Sequence, residues 1–178
     1  MSVLKVLMAA AALLALSAPV AAQTPPDGFT WMVLNRLNDV YSDPDDPTNR
    51  PPLITEVPAG VLIAQDISHD GVADWLIAWP QASQFCGTGG CRKTLYVSGS
   101  DGYRRVFDQQ SLDDLTIVPG PGGSVVEAWV HHLGCRTERE KCLVAWRWDD
   151  ALGRLVDHIA SDGSMEPRPD PVPGPASS

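Results

Sequence analysis

Catalytic signatures are what this 178-residue chain lacks first. It has no G-x-S-x-G elbow, no H-E-x-x-H pair and no P-loop, so nothing in it points to a serine hydrolase, a zincin or a nucleotide phosphohydrolase. Basic charge is scarce: 13 Lys and Arg stand against 22 Asp and Glu, a formal net charge of −9. Such a surplus repels phosphate backbones and anionic lipid headgroups, which argues against nucleic acid and acidic membranes as partners and leaves cations, proteins and glycans. Long apolar runs are nearly absent. The one present, Val6 to Leu16, is Ala-rich and too short to favour a bilayer span. Cysteine is limited to four residues, without the C-x-x-C spacing of a redox pair, and a C-x₄-C followed much later by a C-x₆-C is a poor fit to the paired C-x₂₋₄-C spacings of a zinc site.

What is present starts with export. Lys5, the apolar stretch behind it and Val20-Ala21-Ala22 before Gln23 make residues 1–22 a signal peptide, with an uncleaved anchor as the alternative. A periplasmic or secreted location follows, with no membrane insertion after cleavage. Without Lys5 the chain keeps 12 basic residues against 22 acidic ones. The remaining stretch of about 156 residues suffices for one domain with its own core. Four cysteines in an exported chain imply disulfides. Four allow three pairings, and the spacing favours the local one, Cys86 with Cys91 and Cys135 with Cys142.

The chain is organised around Asp66-Ile67-Ser68-His69-Asp70-Gly71-Val72-Ala73-Asp74-Trp75. Calcium takes six to eight hard oxygen ligands. A tight loop supplies several when alternate side chains point inward, as Asp66, Ser68 and Asp70 do, with Gly71 at the bend, the Val72 carbonyl next and Asp74 closing. The first half satisfies the EF-hand rule D-x-[DN]-x-[DN]-G except at Ser68. The second half does not, because Ile77 stands where a bidentate Glu belongs. The whole stretch, between Gly60-Val61-Leu62-Ile63-Ala64 and Leu76-Ile77-Ala78-Trp79, resembles the calcium loop of the FG-GAP repeat of integrin α chains, in a single copy covering about 20 residues. The resemblance implies calcium held by Asp66, Ser68, Asp70, Val72 and Asp74. The competing reading is a turn that Asp, Ser and Gly close by themselves.

Apolar spacing from Phe29 to Tyr41 predicts a helix of about three turns, with Asp27 at its start and a strand through Trp31–Leu34 as the alternative. Residues 23–52 are then a helix and a Pro-rich loop, residues 53–165 a β domain, and residues 166–178 a disordered Pro-rich tail. Strands are expected at Leu53–Val57, Val61–Ile67, Asp74–Trp79, Thr94–Ser98, Tyr103–Asp108, Leu115–Val118, Val125–His131, Leu143–Trp148 and Arg154–Ile159. Trp75, Ile77 and Trp79 should share one face of their strand, with Leu76 and Ala78 on the other. The strands form two related units, about 60–110 and 115–160, each with strand, cysteine-closed loop, strand, Gly turn and strand. The fold class is mainly β: an antiparallel sheet or two packed sheets, with one N-terminal helix. His131 and His132 should point to opposite faces of their strand, and the strand tryptophans into the core.

These features describe an exported, non-enzymatic binding or structural protein with a calcium-stabilised loop and a protein or glycan partner. One alternative is a periplasmic inhibitor of a lysozyme-type enzyme, since Ser98-Gly99-Ser100-Asp101-Gly102-Tyr103 approximates the S-G-x-x-Y turn of those inhibitors with the tyrosine one residue late. Another is a metal-assisted hydrolase, which would require an open coordination position in a cleft.

Overall fold

The computed structural model describes residues 23–41, 52–135 and 139–164. The signal segment, most of the Pro-rich loop and the expected C-terminal tail lie outside them. Helix α1 runs from Asp27 to Tyr41. Pro26 starts it, its carbonyl accepting from Phe29 N (2.9 Å) and Thr30 N (3.3 Å), and Asp27 places a carboxylate at the positive end of the helix dipole. Phe29, Val33, Leu37 and Val40 are buried, a spacing that makes one helical stripe. That stripe, of about 1.5–3 kcal/mol per buried side chain before entropy, is why the stretch is helix and not strand.

Two antiparallel sheets follow. The first holds β1 (Leu62–Gln65), β2 (Asp74–Ala78), β3 (Cys86–Gly87), β4 (Gly90–Val97) and β5 (Arg104–Ser111). The second is a meander of β6 (Thr116–Val118), β7 (Val125–His131), β8 (Lys141–Asp149) and β9 (Arg154–His158). Successive strand residues face opposite sides, and the sheets use both. Leu76, Leu95, Val97 and Phe107 of the first sheet share one core with Val126, Val144, Trp146 and Trp148 of the second. On the far side of the first sheet, Trp75, Ile77 and Trp79 pack with the helix stripe. The order of layers is therefore helix, first sheet, second sheet, and β2 is buried on both faces, as its doubly apolar sequence requires. The outer face of the second sheet is partly covered by residues 160–164. There the buried Glu127 accepts Ser161 N (2.5 Å) and Ser161 Oγ (2.9 Å).

The cysteines pair locally, Cys86 with Cys91 and Cys135 with Cys142. Around the first pair the sequence understates the order. The glycine-rich turn is a β-hairpin in which Cys86 and Cys91 stand opposite each other, so β4 begins at Gly90 and not at Thr94. Gly90 has φ 91°, and a Cβ there would lie 2.0 Å from the Ser111 carbonyl oxygen, so a side chain would separate β4 from β5. The expected strand Leu53–Val57 does not form. Asn38 of α1 takes both backbone groups of Ile54, donating to its carbonyl (3.0 Å) and accepting from its N–H (2.8 Å). A helix side chain thus occupies the groups a neighbouring strand would use.

Candidate functional site

Ile67 anchors the 66–74 loop. Its side chain is fully buried in the core between the sheets, and its carbonyl accepts Ser124 N (3.1 Å) at the entrance to β7. Gly71 bends the chain at φ 79° and His69 also adopts positive φ, at 60°. His69 is exposed, and its Nε2 meets Ser124 Oγ at 2.9 Å. The Ser124 hydroxyl donates to the Asp66 carbonyl (3.2 Å). The loop is therefore one junction at which the first sheet is tied to the second; another lies at the end of β5, where Leu112 N and Ser111 Oγ donate to the Trp129 carbonyl.

Asp74 closes the loop through the backbone. It is fully buried. Its Oδ2 accepts Ile67 N (2.6 Å) and Ser68 N (3.1 Å), and its Oδ1 accepts Ser98 N (2.8 Å). Burial pushes its pKa above the ordinary 3.8, against the three N–H groups that favour the charged form. Asp70 makes a local turn, Oδ1 accepting Val72 N (2.8 Å), while its Oδ2 accepts Ser98 Oγ (3.1 Å). Ser98 thus joins Asp70 and Asp74. Asp66 and Ser68 differ from both: Asp66 Oδ1 and Ser68 Oγ are buried and have no hydrogen-bond partner among the described residues. Among the described residues no three His, Cys, Asp or Glu side chains are grouped as a metal ion requires.

Three residues that tie the loop together escape a local reading of the sequence. Ser98 and Ser124 are ordinary turn serines by composition. Gln23, next to the expected cleavage point, donates to the Gly71 carbonyl (2.8 Å) and accepts Ala73 N (2.9 Å). All three act across long separations, and only Ser98, in a turn already marked by its glycines, carried any signal.

Two other expectations meet the structure here. His131 and His132 do not point to opposite faces. The strand ends at His131, a short 3₁₀ turn begins at His132, and the rings lie side by side with nitrogens 3.0 Å apart. Alternation holds only while the strand continues. Tyr103, the tyrosine of the inhibitor-like turn, lies half-buried with its ring edge-on to Phe29 at 4.9 Å, turned into the seam between helix and sheet.

No family model, curated protein or solved structure matches the chain. No helix among the described residues is long and apolar enough to cross a membrane.

Proposed function

We propose that the chain is an exported, non-catalytic binding or structural protein whose 66–74 loop takes a calcium ion as a brace between its two sheets. The observation that carries the calcium is the pair of buried oxygens without partners, Asp66 Oδ1 and Ser68 Oγ. A buried polar atom left unpaired costs on the order of 1–3 kcal/mol, and a bound ion is one of the few things that accounts for two at alternate positions of one loop. A hard cation matches their chemistry, and the resemblance of the loop to the FG-GAP repeat favours calcium. Asp66 and Ser68 would hold the ion, with Asp70 and the Val72 carbonyl beside them. Asp74, whose oxygens both serve backbone N–H groups, shapes the loop. Calcium here supplies charge and coordination to a junction, which fits a structural role. The two disulfides fit an oxidising location, periplasmic or extracellular.

Thermal unfolding of the oxidised chain from residue 23 onward tests this. Millimolar calcium is expected to raise the melting temperature above that in EDTA, with magnesium much less effective. A free ion at 100 times its dissociation constant adds about 2.7 kcal/mol. Asp66→Ala should remove the increment. Coincident curves in calcium and EDTA would show that the loop closes without metal, through its own hydrogen bonds.

A further inference from the structure

The cleft between α1 and the outer face of the first sheet has a volume of ≈ 360 Å³, in the range of small-molecule sites. Its floor is a polar network. Trp79 Nε1 donates to Thr94 Oγ1 (3.0 Å), which donates to Asp108 Oδ1 (3.1 Å). Arg92 grips the same carboxylate with two prongs, Nε to Oδ1 (2.5 Å) and Nη2 to Oδ2 (2.8 Å). Arg105 then adds a third contact, Nη1 to Oδ2 (3.0 Å).

One carboxylate thus faces two guanidinium groups. The Asp108 side chain is 4% exposed, while those of Arg92 and Arg105 are 47% and 41% exposed. Arg92 alone satisfies Asp108, so Arg105 is surplus to the ion pair. Among the described residues the Arg105 guanidinium meets a carboxylate through Nη1 alone, which leaves Nε and Nη2 as donors. Among the described residues, the other charges lining the cleft are one of each sign, Arg36 and Asp39. The described lining thus holds three guanidinium groups against two carboxylates in a chain of net charge −9, a balance that suits a monoanion. A dianionic phosphate would be left half-compensated.

The rest of the lining is flat and apolar. Trp31 is 69% exposed at the rim, on a turn of α1 whose core contacts are made by Phe29 and Val33. Tyr96 stands beside the arginines, its hydroxyl meeting Met32 Sδ at 3.7 Å, a weak acceptor that an anionic oxygen would displace. Burial raises the pKa of this phenol, so it stays a donor at neutral pH. We propose that this cleft binds a small monocarboxylate with a flat apolar body, the carboxylate on Arg105, Arg92 and Tyr96 and the apolar part against Trp31. A planar guanidinium fork matches a carboxylate, and an exposed indole beside it supplies the stacking face.

Isothermal titration of the oxidised protein with 2-naphthoate, and with neutral 2-naphthamide as control, tests the proposal. The acid is expected to bind, and the amide at least about tenfold more weakly, a difference of about 1.4 kcal/mol. Arg105→Gln should weaken naphthoate by a similar factor with the melting temperature nearly unchanged, because Arg92 still holds Asp108. Trp31→Ala should also lower affinity, and so exposed a residue is removed without opening the core. No binding at millimolar naphthoate, equal binding of the amide, or affinity indifferent to Arg105→Gln would each overturn it. None of these outcomes depends on calcium at the 66–74 loop.

Discussion

Replacing Asp74 with alanine should lower the free energy of unfolding by about 2–4 kcal/mol, a large share of the 5–15 kcal/mol typical of a domain. The carboxylate serves three backbone N–H groups, those of Ile67, Ser68 and Ser98. An orphaned buried donor costs about 1–3 kcal/mol; the Ile67 bond is buried and those of Ser68 and Ser98 are part-buried, so the second and third add less than the first. Part is recovered because the substitution also removes a buried charge, whose desolvation already raises the pKa of Asp74 above 3.8. The same shift sets the pH dependence. A folded-state pKa above the unfolded value means that the native state binds more protons in the window between the two. The contribution of Asp74 to stability is therefore greatest at and below the unfolded value and falls as pH rises through the window. The gap between wild type and Asp74→Ala should narrow over that range. Urea unfolding at a series of pH values, read as midpoints at constant m, measures both effects. A gap below about 0.5 kcal/mol, the size of an ordinary surface substitution, would mean that Asp74 does not hold the loop.

Much of this architecture is legible in the sequence because it rests on short-range rules. The pleat of Trp75-Leu76-Ile77 assigns two faces to β2, and those faces are found against the helix and against the second sheet. Cysteines five and seven residues apart pair across the turns they bracket. The two-unit pattern corresponds to two meanders, β1-β2-β4-β5 and β6-β7-β8-β9. What the sequence hides acts across distance. Nothing near Ile54 announces that Asn38 will take its backbone groups, and nothing near Asp108 announces that Arg92, 16 residues away, will join Arg105 on it. Within the loop, the spacing of Asp66, Ser68, Asp70 and Asp74 is evident, but the division of labour is not. Asp74 turns to the backbone because it opens β2 just where Ser98 leaves β4, a coincidence of register between strands.

Trp146→Ala should cost about 3–5 kcal/mol, the usual range for deleting a large aromatic from a core, while Trp129→Ala should cost roughly 1–2 kcal/mol. Both tryptophans lie on neighbouring strands of the second sheet, so composition and strand propensity do not separate them. The pleat does. Trp146 faces the first sheet, is 2% exposed, and meets Phe107 edge-on at 5.1 Å. That contact crosses between the sheets and adds about 0.5–1.5 kcal/mol to the burial. Trp129 faces outward, half-buried, with Lys141 Nζ 4.8 Å from its ring centre, and water can fill much of the space it leaves. Chemical unfolding of the two variants gives the comparison directly. The register Val126↔Trp146 and Trp129↔Leu143 places the two tryptophans on opposite faces, and a one-residue slip of either strand would exchange its faces. A larger loss from Trp129→Ala than from Trp146→Ala would therefore contradict the facing of the two sheets. The expected order would show that the second sheet is held to the first by the face carrying Val126, Val144, Trp146 and Trp148, the core on which the 66–74 junction closes.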